Sequence, residues 1–201
     1  MIKIIEKDGA TPLHDISDLK LNWIKNLDQL NLVEAENILK AYSKYFSKRI
    51  DKKNKWFNSS FFKKVHKDMF NKIWNWAGKF RKTKTNIGSK PFQISIEIEQ
   101  LCKDVHYWDC NQIYNLLEKS IRIHHRLVKI HPFVNGNGRH ARFIADLYIH
   151  TNNGKSPHWP NDLSKNGNDR KRYIQSLKEA DLGSYHSLYD FIISLGAKNK
   201  K

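Results

Sequence analysis

Two histidines, two glycines and two arginines lie within the twelve-residue stretch HPFVNGNGRHAR, which begins at His131. Gly136 and Gly138 flank Asn137, and all three residues readily accept positive φ angles. A loop of this kind can direct successive backbone N–H groups into one concavity, where they bind an anion. The stretch therefore predicts an anion-binding loop beside an imidazole that can move a proton.

Two arginines after this loop strengthen the prediction. The loop becomes the N-terminus of a helix, whose dipole and unpaired N–H groups attract anions. Arg139 and Arg142 are three residues apart and share one face of the first turn. Positive charge at this end of a helix opposes the dipole unless an anion binds there. We expect a polyphosphate site, and a glycine-rich turn with surface arginines is the alternative.

Helices are predicted to position this loop. Apolar residues recur at helical spacing over most of the chain. The predicted helices span 33–46, 59–77, 97–108, 113–131, 138–153, 169–180 and 184–195. Residues 80–96 alternate instead, with Phe92, Ile94 and Ile96 separated by polar residues, and they predict a short β-hairpin. We expect one domain over 31–195, an N-terminal arm over 1–30 and a basic tail over 196–201.

The motif also supports a resemblance. HPFVNGNGRHAR resembles the Fic-family signature HPFx[D/E]GNGRxxR at eleven of its twelve letters. The segments WAGKFRKTKTNIG and RKRYIQSLKEADLGSYHSLYDF resemble the Fic subgroup called mobile mystery protein B, and the likeness covers roughly residues 10–195. It implies a mostly α-helical bundle with a β-hairpin flap, which agrees with the periodicity.

The resemblance implies transfer of AMP from ATP to a Ser, Thr or Tyr hydroxyl of a target protein. His131 would act as the general base, and the flap would clamp the backbone of the target. The residues implied for nucleotide binding are Asn135, Gly136, Asn137, Gly138, Arg139, Arg142, Tyr173 and, on the flap, Ile87, Gly88, Ser89 and Lys90. Transfer of another phosphate-containing group is an alternative within the family.

Asn135 departs from the signature, which has an acid that binds Mg²⁺ at this position. An amide oxygen can coordinate Mg²⁺ or Mn²⁺, but it adds no negative charge. Three outcomes are open: a weaker transferase, an altered metal or substrate requirement, or a nucleotide-binding protein with little catalysis. Asp146, two turns along the same helix, is a candidate acid that could compensate.

An inhibitory glutamate is implied by the family pattern [S/T]xxxE[G/N], which pairs a carboxylate with the second arginine of the motif. Glu36 and Asn37 match the end of this pattern, whereas residue 32 is Leu instead of Ser or Thr. The sequence therefore offers a hypothesis of autoinhibition by Glu36 on a helix over 32–47. A solvated helix charge is the alternative.

Composition and charge limit the other functional classes to which the protein could belong. The net charge is +16, which attracts polyanions, and a basic nucleic-acid-binding module is the competing class. The sequence holds no apolar run of membrane-spanning length, so we expect no membrane association. Only two cysteines occur, which favours a reducing, cytoplasmic setting over a disulfide scaffold. The resemblance further implies a mobile-element setting with a small helix-turn-helix partner protein.

Overall fold

The computed structural model describes residues 17–47, 50, 56–160 and 168–198, and this part of the chain is mostly α-helical, as predicted. The helices are α1 (Leu27–Phe46), α2 (Ser59–Phe70), α3 (Ile94–Cys110), α4 (Leu116–Ile130), α5 (Asn137–Thr151), α6 (Asn168–Asp181) and α7 (His186–Lys198). Residues 1–16 of the predicted arm and 199–201 of the predicted tail lie outside the described residues. No helix in the described ranges is long and apolar enough to cross a membrane.

Three of these helices begin in the same way. Asn26, Asn58 and Asn115 precede α1, α2 and α4, and each side-chain oxygen accepts the backbone N–H three residues ahead at 2.9 Å. Asn is among the strongest N-cap residues because its oxygen satisfies a donor that has no partner within the helix. The cap at Asn26 begins α1 five residues before the predicted helix over 32–47, so the end of the predicted arm is helical.

Residues 17–26 pack against the rest of the molecule. Leu19 forms an isolated antiparallel bridge with Trp74, and the Lys20 N–H donates to the Ile73 carbonyl at 2.8 Å. The Asn75 N–H donates to the Asp18 carbonyl at 2.9 Å. Trp74 is 1% exposed, so this segment covers part of the core. The described part of the predicted arm is therefore docked through backbone hydrogen bonds.

The core contains two apolar clusters that meet at α4. The larger cluster joins α1 to α5, and α4 and α5 pack most extensively against each other. The smaller cluster joins α6 and α7 to Ile121 of α4. The stripe on α4 is clear because Ile123, Leu127 and Ile130 are buried at helical spacing. As a result, α4 ends at a fixed point between the two clusters, and His131 follows it directly.

The predicted β-hairpin over 80–96 is wrong. Residues 81–90 form an irregular loop, Pro91–Gln93 form a 3₁₀ helix, and Ile94 already belongs to α3. In a strand, Phe92, Ile94 and Ile96 would lie on one face, but Ile94 is buried, whereas Phe92 and Ile96 are 73% and 67% exposed. Ile94 and Ile98 instead follow the helical spacing of the inward face of α3. Local alternation was therefore overridden by packing of a helix against the core.

This irregular loop, residues 81–90, is called the flap loop below. It is anchored to the end of α4 and the start of the motif: the Ser89 N–H donates to the Ile130 carbonyl at 3.1 Å, and Phe80 forms an isolated antiparallel bridge with Phe133. Both ends of the flap loop are therefore held close to His131.

Candidate active site

His131 occupies the residue that ends α4, with a left-handed backbone (φ 53°). A left-handed residue stops a helix, and Pro132 cannot continue it. The side chain is 5% exposed, and burial, more than the nearby Arg81, lowers its pKa to about 4. His131 Nδ1 lies 3.4 Å from the Val128 carbonyl, which can only accept, so this contact favours a proton on Nδ1 and a basic Nε2. The imidazole is thus neutral at pH 7.

Arg81 fixes the flap loop over this histidine. Its guanidinium donates to the carbonyls of His131 at 2.7 Å, Thr83 at 2.9 Å and Ser89 at 2.5 Å. Arg81 is 3% exposed, so these are buried charge-assisted bonds. Gly88 has φ +100°, and a Cβ there would lie 2.4 Å from the His131 Cβ. Gly88 was among the predicted site residues, whereas Arg81 was not, because in the sequence it is one of several basic residues in a lysine-rich segment.

The motif loop closes on itself. Asn137 accepts the Phe133 N–H and donates to the Phe133 carbonyl, both at 2.8 Å, so its side chain braces the loop. Phe133 in turn stacks on His66, with ring centroids 3.6 Å apart. His66 Nδ1 accepts the Gly78 N–H at 2.9 Å, which leaves Nε2 as the donor to the Asn135 carbonyl at 3.0 Å. His66 was predicted only as part of an amphipathic face, and its bond to the loop required the fold.

The start of α5 differs from the capped starts of α1, α2 and α4. Gly136 precedes α5 with φ 77°, and no side chain among the described residues caps this end. A Cβ at Gly136 would lie 2.6 Å from the Phe70 ring, so only glycine fits. The first-turn N–H groups, including those of Gly138 and Arg139, therefore retain the donor capacity that an anion can use.

Arg139 forms an ion pair with a glutamate that the sequence analysis did not select. Its Nη1 lies 2.5 Å from Oε2 of Glu34, whose side chain is 7% exposed. The other carboxylate oxygen of Glu34 accepts the Trp74 indole N–H at 2.7 Å. The Arg139 guanidinium also lies over the Phe70 ring, 4.9 Å from its centroid. Both carboxylate oxygens of Glu34 are thus engaged at the edge of the motif.

Glu36, the predicted inhibitory residue, lies elsewhere on α1. Its carboxylate is 61% exposed and pairs with Lys40 at 2.6 Å. Two residues correspond to about 200° of helix rotation, so Glu36 and Glu34 lie on opposite faces. The structure therefore does not bring Glu36 to the arginines. The inward face carries Leu30, Glu34, Asn37 and Ala41, and this spacing was the available signal for Glu34.

Arg142 faces a buried polar cluster. Burial raises the pKa of the Tyr173 hydroxyl, the charge of Arg142 acts in the opposite direction, and this hydroxyl contacts His124 Nε2 at 2.6 Å. Tyr173 is 4% exposed and packs in the smaller apolar cluster. The structure thus places Tyr173 beside Arg142, as a partner of that arginine instead of an exposed platform for a base.

Asp146 lies one turn beyond Arg142 within this cluster. Its carboxylate accepts the Trp159 indole N–H at 2.8 Å and the Tyr42 hydroxyl at 3.2 Å. Burial raises its pKa to about 6, although these two hydrogen bonds and Arg142 act in the opposite direction. Asp146 can therefore change charge near neutral pH, at a position that influences Arg142.

Asn135 points its side chain back into the loop. Its Oδ1 accepts the Gly136 N–H at 2.6 Å, and its carbonyl accepts from His66. Among the described residues, no group of three His, Cys, Asp or Glu side chains could hold a metal ion. The donor set does not fit a resident metal, so a cation at this site would have to arrive with the phosphates of a nucleotide.

A cavity of about 490 Å³ opens beneath the flap loop. Ile87, Gly88 and Ser89 line one side, and Val128 of α4 and Ile174 of α6 line the opposite side. Lys90 does not line it, and its ammonium lies 5.9 Å from the centroid of the Phe92 ring. Three of the four predicted flap residues thus share one cavity close to His131.

Residues 56–149, which include α2 to most of α5 and the whole motif, match the sequence profile of the Fic/DOC family. The match covers just under half of the chain. The matched segment contains His131, the flap loop and both arginines, whereas Glu34, Tyr42 and Tyr173 lie outside it.

Curated relatives and solved structures agree with this match. The chain is 28% identical over 120 residues to the protein adenylyltransferase fic-1 of Caenorhabditis elegans, a match that covers 58% of this chain and 22% of that protein. It therefore spans about a fifth of the relative's length. The fold matches the Bartonella tribocorum BepC protein with bound AMPPNP (TM-score 0.64, 20% identity, covering 89% and 92% of the two chains). A Fic domain from Bartonella quintana matches with a TM-score of 0.67 at 18% identity, covering 95% and 90%.

Proposed function

We propose that this protein transfers AMP from ATP to a Ser, Thr or Tyr hydroxyl of a target protein. The observation that carries the proposal is the placement of a buried, neutral His131 next to the uncapped start of α5. A helix start without a side-chain cap binds phosphate, and a neutral imidazole accepts a proton. The adenylyltransferase activity of the fic-1 relative supports the same reaction class.

The chemistry follows from this arrangement. His131 Nε2 takes the proton of the target hydroxyl as its oxygen bonds to the α-phosphorus of ATP. The bond from that phosphorus to the bridging oxygen breaks, and pyrophosphate leaves. The N–H groups at the start of α5 and the side chains of Arg139 and Arg142 stabilise the phosphate charge, since positioning and electrostatics dominate this class of reaction.

The nucleotide has a defined place in this proposal. Its phosphates lie at Gly136, Gly138 and the two arginines, and its adenosine extends into the cavity beneath Ile87–Ser89. The Asn137 side chain stabilises the loop through its two hydrogen bonds to the Phe133 backbone, and its backbone N–H is proposed to bind phosphate. Mg²⁺ or Mn²⁺ is proposed to enter with ATP. Structures of related Fic domains with bound AMPPNP and bound ADP support a nucleotide at this fold.

Autoinhibition belongs to Glu34 in this proposal, in place of Glu36. The Glu34 carboxylate occupies Arg139, and a phosphate must displace it before using that guanidinium fully. The family pattern describes a pair with the second arginine, whereas the observed pair involves the first. Asn135 favours a reduced dependence on metal, so a weaker transferase is the form of activity that we propose.

The cellular setting is also a proposal. The resemblance to the mobile mystery protein B subgroup supports a cytoplasmic protein encoded beside a small helix-turn-helix partner. Transfer of another phosphate-containing group remains the alternative chemistry, because the motif binds phosphates without identifying what is attached to them.

Intact-mass analysis tests the reaction. The protein is incubated with ATP, Mg²⁺ and candidate hydroxyl peptides, and a gain of one AMP on peptide or protein is the expected result. His131→Ala should lower the rate by about 10²–10⁴-fold while ATP binding by calorimetry is retained, because His131 moves the proton and does not form the phosphate site. His186→Ala is the matched control, since His186 is exposed. An unchanged rate in the His131 variant would exclude its role as base.

A further inference from the structure

Half of the net charge of the protein comes from 32 residues around the flap. Residues 59–90 contain nine basic side chains and one acidic side chain, Asp68, whereas the whole chain has a net charge of +16. Asp68 is already engaged by Lys44 and by the Tyr45 hydroxyl, each at 2.7 Å. Arg81 is buried on backbone carbonyls. The lysines of this segment are therefore the source of an uncompensated positive surface.

Five of these lysines belong to one region, which we call the lysine surface: Lys63, Lys67, Lys79, Lys82 and Lys84. Gly78 lies against α2, where an added Cβ would be 2.7 Å from the Lys67 Cβ and 2.9 Å from the Lys63 carbonyl. This close approach brings Lys79 beside α2. The Lys63 ammonium lies over the Phe80 ring, 4.3 Å from its centroid. α2 and the start of the flap loop thus present their lysines together.

The lysine surface adjoins the site of chemistry. Phe80, beneath Lys63, bridges to Phe133 of the motif, and Arg81, which precedes Lys82, donates to the His131 carbonyl. Lys67, Lys79, Lys82 and Lys84 are exposed. In the described ranges, none of the five lysines forms an ion pair with a carboxylate. The lysine surface is therefore joined to the motif through Phe80 and Arg81, the residues that neighbour Lys79 and Lys82.

We infer that the lysine surface docks an acidic segment of the protein that receives AMP, so that the substrate class is a hydroxyl residue near a run of Asp or Glu. This inference rests on the proposed transfer reaction. Lysines attract carboxylates as exposed point charges. An aromatic platform, which single-stranded nucleic acid uses for base stacking, is not part of this surface, because Trp74 and Trp76 are buried and Phe80 lies under Lys63.

Fluorescence anisotropy tests the docking without requiring any catalysis. The probes are a labelled Ser–Glu peptide, the same peptide with Gln for Glu, and a duplex DNA oligonucleotide. The variant K63Q/K67Q/K79Q/K82Q removes four charges from the lysine surface. K25Q/K103Q/K155Q/K171Q is the matched control, because it removes four exposed lysines elsewhere. We expect the first variant to raise the Kd for the Ser–Glu peptide about tenfold at low salt and the control to change it less than about twofold.

Three results would overturn the inference: equal weakening in both variants, equal binding of the Glu and Gln peptides, or tighter binding of DNA that depends on the same lysines. An AMP-transfer assay then distinguishes an effect on peptide binding from an effect on ATP binding. The surface variant should raise the peptide KM about tenfold with the ATP KM unchanged, and a matching rise in the ATP KM would assign the lysines to ATP. If the wild-type protein binds the Ser–Glu peptide through these lysines but transfers no AMP, the proposed reaction fails while the docking surface stands.

Discussion

The two arginines of the motif lie three residues apart on α5, yet their surroundings differ. Arg139 faces α1, where Glu34 holds it in a direct ion pair. Arg142 faces Tyr173 and a carboxyl group, Asp146, whose pKa lies near neutrality. In the proposed reaction Arg139 exchanges the Glu34 carboxylate for a phosphate, whereas the surroundings of Arg142 change charge with pH. Two arginines of one motif therefore differ in what affects them: an ion pair with Glu34 at Arg139, and the protonation state of Asp146 near Arg142.

The largest expected effect concerns Asp146 and stability. Its folded pKa of about 6 lies above the unfolded value of 3.8, so the protonated carboxyl stabilises the folded state. This contribution is complete below the unfolded pKa and is lost as pH rises through about 6. Asp146→Asn removes the titration. Between pH 4 and pH 7 the wild type should therefore lose about 2 kcal/mol of unfolding free energy relative to the variant.

Urea unfolding of both proteins at several pH values measures this difference directly. The buried histidines, such as His131 and His140, titrate in both proteins, so their contribution cancels in the comparison. A difference that stays constant with pH would show that Asp146 is ionised throughout, and the contrast between the two arginines would then disappear.

The next effect concerns Glu34. Glu34→Gln keeps an acceptor for the Trp74 indole but removes the charge that holds Arg139, so we expect ATP to bind about tenfold more tightly. Glu36→Gln is the matched control and should leave the Kd unchanged, because Glu36 is exposed and pairs with Lys40. Calorimetric titration decides. Equal affinities in wild type and Glu34→Gln would mean that phosphate does not compete for Arg139.

The smallest expected effect concerns Asn135. Asn135→Asp adds a carboxylate beside the phosphates, so with Mg²⁺ present ATP affinity should rise about threefold to fivefold, and with a chelator it should fall through like-charge repulsion. Asn135→Ser is the neutral control. Titration of ATP with and without Mg²⁺ separates the gain in affinity from the loss. If the ATP affinity of the acidic variant depends on Mg²⁺ no more than that of the wild type, residue 135 does not face the cation. Metal binding would then say nothing about the surroundings of the two arginines.

The helices and the motif were predictable because they depend on local rules. The buried stripe of α4 and the positive φ of Gly136 depend on a few neighbouring residues, so periodicity and φ preference identified them. Asn137 and Gly138 were expected to accept positive φ as well, but they already belong to α5. The prediction of a β-hairpin was wrong because the structure of that segment depends on distant contacts. Phe92, Ile94 and Ile96 alternate in sequence, but only contact with the core could decide that Ile94 begins the inward face of a helix.

By itself, the sequence predicted a helical protein with a glycine-rich loop suited to an anion, a histidine beside it and an excess of lysines. These properties follow from residue type and short spacing. The tertiary structure decided which groups engage the site: Glu34 instead of Glu36 on Arg139, Arg81 on the His131 carbonyl, and Asp146 near Arg142. The first two contacts join residues 105 and 50 positions apart. Asp146 is close in sequence, but its shifted pKa arises from burial beneath Tyr42 and Trp159, which only the packed helices impose.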